Sequence, residues 1–183
     1  MSESPATRIV HATLDLIQAE GVGAISMSAI AREAGVARQT LYNHYPDVDS
    51  IVYAAMDAHQ QESLTLLTDL LDTIDSPAGR LEHLVRHTAA VAAHGHPSLK
   101  YGFSTTHQQL IAAFDKGMRA LVETALSDGM TAGVFREDLN PAIDALLLQR
   151  MIEATGELVA DDPTNAAKAV AAAVHTVMAT VIG

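Results

Sequence analysis

Residues 26–45 decide the fold of the N-terminal part of the chain and read SMSAIAREAGVARQTLYNHY. The first half of this stretch places Met27, Ile30, Ala31 and Ala34 at the i, i+3, i+4, i+7 spacing of one helix face. The serine that opens the stretch stands where a side-chain oxygen can accept a hydrogen bond from a first-turn amide. The pattern therefore predicts a short helix with an N-cap.

Gly35 marks the end of this first helix. Glycine adopts a positive φ without a Cβ clash, and Val36 supplies the apolar contact that usually closes such a helix end. A second helix follows at residues 38–45, with Leu41 and Tyr45 spaced i and i+4 on its inward side. The sequence thus predicts two short helices joined by a tight turn.

The outward face of the second helix carries side chains that form hydrogen bonds. Base edges in the major groove of DNA present donors and acceptors, so a short helix with such a face is suited to reading them. Two short helices with a glycine turn also occur in helical domains that never touch DNA, and the turn alone leaves both interpretations open. The outward residues are Arg38, Gln39, Thr40, Tyr42, Asn43 and His44.

The first quarter of the chain resembles the N-terminal domain of the tetracycline-repressor-like (TetR) family of bacterial transcription regulators. The residues that carry the resemblance are Ile9-Val10-His11-Ala12, Glu20-Gly21, Ser26-Met27, Ile30-Ala31, Ala34-Gly35-Val36 and Thr40-Leu41-Tyr42-Asn43-His44-Tyr45-Pro46. The resemblance implies an all-α protein of about nine helices. It places a three-helix, helix-turn-helix DNA-binding domain at residues 1–48 and a helical effector-binding and dimerisation domain at residues 49–183.

Under this interpretation the DNA-binding residues have separate roles. Arg32 and Arg38 are expected to contact phosphates or guanines, and Gln39, Thr40 and Asn43 to read base edges. The remaining two, which are expected to bind phosphates, are Tyr42 and His44.

Two residues depart from the family pattern. Ala37 stands where members usually carry Ser or Thr to cap the recognition helix, which is expected to cost about 1 kcal/mol of local stability. Val48 stands where members usually carry a lysine that contacts a phosphate, and it lies between Asp47 and Asp49. Those carboxylates suit a helix N-terminus but repel a phosphate, so this DNA contact is expected to be lost.

The charge of the chain is unusual for a DNA-binding protein. The formal net charge is −11, and residues 1–50 hold three arginines against six acidic residues. Nonspecific affinity for DNA comes mostly from neutralised phosphates, so weak nonspecific binding with a modest salt dependence is expected. The local field at the docking face decides specific binding, and Arg8, Arg32 and Arg38 can all lie there.

The remainder of the chain reads as helices. A first helix is predicted from Pro5 to Glu20, with an inward stripe of Ile9, Ala12, Thr13, Leu16 and Ile17. A long fourth helix is predicted from Asp47 to Ile74, spanning about 40 Å at 1.5 Å per residue. A later helix is predicted from Thr105 to Leu126, followed by a loop that contains Gly129 and Gly133. The last two helices are each predicted to open with a cap followed by proline, at Asn140-Pro141 and Asp162-Pro163. The last two helices carry apolar residues on more than one stripe, which predicts a homodimer formed through a four-helix bundle. The alternative is that all of these apolar faces are internal.

A small-molecule effector is expected to bind in the C-terminal domain. Family members line such a cavity with polar groups and with flexible or aromatic apolar walls. Each candidate residue is open to a second interpretation, as part of the plain core. The candidates are Tyr101, Phe103, His107, Gln108, Phe114, Met118 and Met151.

The sequence gives little support for catalysis, for a cofactor or for a metal site. There is no cysteine, no glycine-rich phosphate loop and no Gly-x-Ser-x-Gly motif, so a protein that is not an enzyme and needs no cofactor is expected. His83 and His87 have the i, i+4 spacing that two histidines need to bind one metal ion, and His94, His96 and His107 are further candidates. Glu82 and Arg86 can pair on an adjoining face of the same helix, which favours a solvated surface, so no metal site is expected.

Without a signal-like N-terminus or an apolar span of about 20 residues, a cytoplasmic location is expected.

Two hypotheses of different classes follow. The first is a ligand-responsive DNA-binding regulator, a repressor that a small-molecule effector releases from a pseudo-palindromic operator. The second is a helical small-molecule or partner-binding module of the same fold that has lost DNA binding, motivated by Ala37, Val48 and the acidic N-terminal residues.

Overall fold

The computed structural model describes residues 3–21, 23, 25–93 and 105–182, with the side chains of 105–107 left out. This part of the chain contains eight α-helices and no strand, which confirms the predicted all-α class and is close to the predicted number of helices. The helices are α1 Pro5–Glu20, α2 Met27–Glu33, α3 Arg38–His44, α4 Val48–Asp72, α5 Pro77–Ala93, α6 Thr105–Thr131, α7 Pro141–Asp161 and α8 Ala166–Val181.

The chain divides into two compact units. The first consists of residues 1–63 with 99–114, and the second of residues 64–98 with 115–183. Two of the three points of division fall within α4 and α6.

The core of the first unit forms around α1. Ser4 caps this helix by accepting the amide of Thr7, and Pro5 occupies its first turn, where a missing N–H costs nothing. The inward stripe of α1 packs against apolar side chains of α2, α3 and α4, and all five residues predicted for that stripe are buried. They are Ile9, Ala12, Thr13, Leu16 and Ile17.

The predicted turn between α2 and α3 is confirmed. Ser26 caps α2 by accepting the amide of Ala29 at 3.2 Å. Gly35 has a φ of 63°, and the amide of Val36 donates to the carbonyl oxygen of Ala31 at 3.0 Å. This bond closes the end of α2, and Val36 packs against the core as the sequence predicts.

The core of the second unit lies between α5, α6, α7 and α8, with α5 packed against both α7 and α8. Gly156 lets α7 approach α5 closely, because a Cβ there would lie 3.2 Å from Cγ2 of Thr88. The buried residues at the centre of this core are Leu81, Leu84, Val85, Val122, Leu126, Ala145, Leu148, Ile152, Val177 and Val181.

The prediction that α6 ends at Leu126 is wrong, since the helix continues to Thr131. The glycine that ends it is Gly133, with a φ of 67°, rather than Gly129. Gly129 stays helical, and the ring of Phe135 packs directly over its Cα. The amide of Val134 donates to the carbonyl oxygen of Gly129 at 2.9 Å, and this local bond closes the end of α6.

The last helix also begins later than predicted. Asp162 accepts hydrogen bonds from the amide of Thr164 at 3.1 Å and from Nδ2 of Asn165 at 2.6 Å. These bonds hold residues 163–165 in a single turn of 3-10 helix, so α8 starts only at Ala166. The Thr164 hydroxyl also donates to Oδ1 of Asp162, and this bond, followed by the one from Asn165, lowers the pKa of the Asp162 carboxyl.

Candidate nucleic-acid interface

Helix α3, which the sequence predicts to be the recognition helix, is anchored by one side chain and exposes most of the others. Leu41 is fully buried in the core of the first unit, while the ring of Tyr45 is half-buried against that core. Of the predicted DNA-binding residues, Thr40 is half-buried and Tyr42 is 52% exposed. The others are also exposed, namely Arg32 at the end of α2 and Arg38, Gln39, Asn43 and His44 on α3.

Two of these exposed residues are hydrogen-bonded to each other. Nε2 of Gln39 donates to Oδ1 of Asn43 at 3.0 Å, one turn further along α3. The sequence predicts both as base-reading residues, but the bond between their side chains was not foreseen.

The start of α3 lacks a side-chain cap. Ala37 has the extended conformation of an N-cap residue, with φ −67° and ψ 146°, and provides no hydrogen bond to the first turn. A Ser or Thr in the same place would stabilise the helix by about 1 kcal/mol. The helix is therefore held mainly by Leu41 and by its connection to the turn.

Asp47 has a structural role at the start of α4. Its Oδ1 accepts the amide of Ser50 at 2.8 Å, and the Ser50 hydroxyl donates to the Asp47 carbonyl oxygen at 2.8 Å. Asp47 is thus the N-cap of α4, where a carboxylate also interacts favourably with the helix dipole. Val48, in the place of the usual lysine, is half-buried and offers no charge.

The three arginines of the first fifty residues differ in exposure. Arg32 and Arg38 are exposed, whereas Arg8 on α1 is half-buried. Nε of Arg8 has no hydrogen-bond partner within the described part of the chain. The positive charge available to a phosphate backbone is therefore concentrated at Arg32 and Arg38.

The candidate effector residues are only partly described. Tyr101, Phe103 and the side chain of His107 lie outside the described residues. Gln108 is exposed and Phe114 is half-buried in the first unit. In the second unit the structure brings two of the candidates to one buried cluster, where Met118 and Met151 are both half-buried.

Gln149 is a polar residue of the second unit that the sequence analysis did not select. It is 3% exposed, and its Nε2 donates to the carbonyl oxygen of Asp115 at 3.0 Å and to Oε1 of Glu153 at 2.7 Å. Its Oε1 accepts from Nε of Arg119 at 3.1 Å. Burial, and then the charge of Glu153, raise the pKa of the Asp115 carboxyl. The sequence feature that could have identified Gln149 is its position in the buried stripe of α7, four residues after Ala145.

An open depression of about 340 Å³ also lies on the second unit. Within it Nη1 of Arg80 contacts Oδ2 of Asp128 at 2.5 Å. Its lining contains none of the seven candidate effector residues and consists of Asp75, Pro77, Arg80, Asp128, Thr131 and Ala132.

The rings of His83 and His87 stack with their centroids 6.3 Å apart. Burial, followed by the charge of His83, lowers the pKa of His87. Among the side chains that the structure describes, no group of three His, Asp or Glu residues is arranged to hold a metal ion. The other candidate ligands, His94, His96 and His107, fall outside them.

Helix α7 exposes a row of large apolar side chains. Ile143 and Leu147 are one turn apart, and Leu158 follows three turns later on the same face. All three are more than half exposed, at 59%, 57% and 61%. Among the described helices, none combines the length and the apolar character that crossing a membrane requires.

Comparison with known proteins agrees with this geometry. Residues 9–55 match the model of the tetR family of bacterial regulatory proteins. An uncharacterized HTH-type transcriptional regulator of Mycobacterium tuberculosis H37Rv is 32% identical over 85 residues, which cover 46% of this chain and 41% of that protein. The chain therefore spans about two fifths of the length of this relative.

Solved structures share the fold over almost the whole chain. The reduced form of NemR from E. coli superimposes with a TM-score of 0.79 at 14% identity, covering 97% of both chains. SmeT in complex with triclosan superimposes with a TM-score of 0.75 at 17% identity, covering 99% of this chain and 93% of that one. Residues 9–55, which contain the helix-turn-helix, are thus similar to the tetR family of bacterial regulatory proteins, and almost the whole chain shares its fold with NemR and SmeT.

Proposed function

We propose that the protein is a ligand-responsive transcription regulator, a cytoplasmic homodimer that represses by binding a pseudo-palindromic operator and is released by a small-molecule effector. One observation carries the proposal: α3 is anchored by the fully buried Leu41 and exposes hydrogen-bonding side chains on its outer face. A short helix held in this way is suited to enter the major groove.

Operator binding would use both copies of α3 in a dimer. In dimeric helix-turn-helix proteins the two recognition helices dock in successive major grooves, about 34 to 36 Å apart. Arg32 and Arg38 supply the positive charge, Gln39, Thr40 and Asn43 reach the base edges, and Tyr42 and His44 contact phosphates. The operator is then a pseudo-palindrome whose half-sites reflect the two-fold symmetry of the protein.

The dimer would form through α7 and α8. Each large apolar side chain on the exposed row of α7 would contribute about 1.5 to 3 kcal/mol if fully buried, so the row is a substantial driving force for association. Ala172 and Ala179 are exposed two turns apart on α8, and such small side chains allow a neighbouring helix to approach closely. A two-fold pairing of both helices gives a four-helix bundle.

The effector would bind in the C-terminal domain, residues 49–183. The flexible side chains of Met118 and Met151 would form an apolar wall for the effector. Gln149 and Asp115, each within three residues of one of these methionines, would supply polar groups. Tyr101, Phe103, His107, Gln108 and Phe114 stay candidates on the strength of the family resemblance. SmeT has been solved with triclosan, a small apolar molecule with polar atoms, which supports a ligand of that general size. Release requires that the effector bind more tightly to the form that does not fit the operator.

Selection of bound duplexes from a random pool at low salt tests the proposed function. The expected result is one enriched pseudo-palindrome with half-site centres one helical turn apart, bound by a protein of dimer mass. Low salt is needed because the acidic chain gives little nonspecific affinity. A pool that shows no enriched sequence after repeated rounds would contradict the proposal.

A second function is favoured by the residues at the start of α4. Val48 replaces a cation, and Asp47 and Asp49 bring negative charge to a place where DNA would lie. A helical binding module that has lost DNA binding would have these features. It would be recognised by a folded dimer that binds small molecules but enriches no DNA sequence.

A further inference from the structure

The hydrogen bond between Gln39 and Asn43 fixes the orientation of one amide on the recognition helix. Nε2 of Gln39 donates to Oδ1 of Asn43 at 3.0 Å, and both side chains are exposed. We propose that Asn43, oriented by Gln39, reads an adenine in each half-site of the operator. This inference rests on the proposed function and adds to it the base that α3 recognises.

The position of the pair on the helix supports this role. Gln39 and Asn43 lie two residues before and two residues after Leu41, which is fully buried. Residues two apart in an α-helix are separated by about 200° around the axis, so both amides lie opposite the buried anchor. They therefore occupy the centre of the outward face, which enters the groove most deeply when α3 docks.

The groups that remain on Asn43 match adenine. Its Oδ1 has two acceptor sites, one of which receives the bond from Gln39, and its Nδ2 has two donors. One acceptor and an adjacent donor are therefore available in the plane of the amide. Adenine presents the complement in the major groove, because its N6 amino group donates and its N7 accepts.

The other three bases fit this arrangement less well. Guanine presents two acceptors, N7 and O6, so Oδ1 of Asn43 would face an acceptor. Cytosine presents a donor without an adjacent acceptor, and thymine presents an acceptor beside its methyl group. A fixed amide therefore discriminates in favour of adenine.

In this arrangement Gln39 acts as a positioning residue, in place of the base-reading role that its residue type alone predicts. A free asparagine amide can turn over, which exchanges its donor and its acceptor and would let it accept other bases. The bond from Nε2 of Gln39 holds the acceptor, Oδ1, on the side of Gln39. Loss of that bond is expected to weaken discrimination at the position that Asn43 reads, without creating a change at any other position.

The test uses the full-length dimer and the selected operator, with each half-site base changed in turn on both half-sites. Wild-type protein should prefer adenine at one position by about 10-fold to 100-fold. Replacing that adenine by 7-deazaadenine, which lacks N7, or by purine, which lacks the N6 amino group, should lower wild-type affinity. Replacing the paired thymine by uracil should not, because the thymine methyl group is not contacted.

Three variants separate the roles of the two residues. Asn43→Ala should lose the adenine preference and become insensitive to the modified bases, while its preferences elsewhere persist. Gln39→Met keeps the length and helix propensity of glutamine but removes the bond, so it should reduce the preference several-fold at the same position. Gln61→Met is the matched control, because Nε2 of Gln61 makes the same kind of bond to Asp57 on α4. It should leave every preference unchanged.

Three other results would overturn the inference, the positioning role of Gln39, or the proposed function itself. If the wild type binds its operator and Asn43→Ala keeps all base preferences, the inference is overturned and the proposed function stands. If Gln39→Met changes the preference at a different position, Gln39 reads its own base and the positioning role is overturned. If the wild type enriches no operator at all, both the inference and the proposed function fail.

Discussion

Leu147→Glu is expected to convert the protein from a dimer to a monomer. Leu147 is 57% exposed near the middle of the apolar row on α7, so a charge there leaves the core of the single chain undisturbed. In a two-fold interface the substitution occurs twice and brings two carboxylates into an apolar contact. An unpaired buried charge costs several kcal/mol, so the dissociation constant of the dimer should rise by at least about 1,000-fold.

Molecular mass by light scattering at micromolar concentration measures this effect directly. Leu66→Glu is the matched control, because Leu66 is 63% exposed on α4 and the change introduces the same charge outside α7. The control should keep the dimer mass of the wild type. A Leu147→Glu protein that also keeps it, or a wild type that is already a monomer, would show that α7 does not form the interface.

Gly129→Ala is expected to destabilise the second unit by about 3 kcal/mol. Helix propensity alone predicts the opposite sign, since alanine is favoured over glycine within a helix by about 1 kcal/mol. A Cβ at Gly129, however, would lie 2.0 Å from Cδ2 and 2.2 Å from Cε2 of Phe135, a ring that is 3% exposed. The backbone has little freedom to move away, because the Gly129 carbonyl oxygen accepts the amides of Val134 and Phe135 at 2.9 and 3.1 Å.

Urea denaturation gives the free energy of unfolding for this comparison. Gly23→Ala is the control, because beyond the adjacent residues no described atom lies within 4 Å of the added Cβ, and its change should stay within about 0.5 kcal/mol. In a Phe135→Ala background Gly129→Ala should instead stabilise by up to about 1 kcal/mol, since the clash is removed and helix propensity favours alanine. A single Gly129→Ala variant as stable as the wild type would contradict the close packing of the ring on α6.

Local signals in the sequence were sufficient for the first unit. The inward stripe of α1, the cap at Ser26, the turn at Gly35 and the burial of Leu41 were all predicted, and all are confirmed. Each depends on neighbours within one or two helical turns, so spacing and side-chain type determine it. For the same reason the cap at Asn140 and the proline that opens α7 were predicted correctly.

Features that depend on distant contacts were not predictable in this way. The sequence predicts a loop that contains both Gly129 and Gly133, whereas Gly129 stays helical against the ring of Phe135 and the helix end is closed at Gly133. Gln149 lies in an apolar stripe, yet its burial makes sense only with Arg119 and Glu153 placed around it. At the candidate DNA interface the residue types were predictable, whereas the bond from Gln39 to Asn43 depends on rotamers that spacing does not specify.

The operator affinity of Arg38→Ala tests most directly whether α3 reads DNA. Arg38 is exposed at the start of α3, so its loss should lower affinity for the selected operator by about 10-fold to 100-fold while thermal stability and dimer mass stay unchanged. Arg86→Ala removes the same charge from an exposed position on α5 and should bind like the wild type. An Arg38→Ala protein with wild-type operator affinity would contradict the assignment of α3 as the recognition helix.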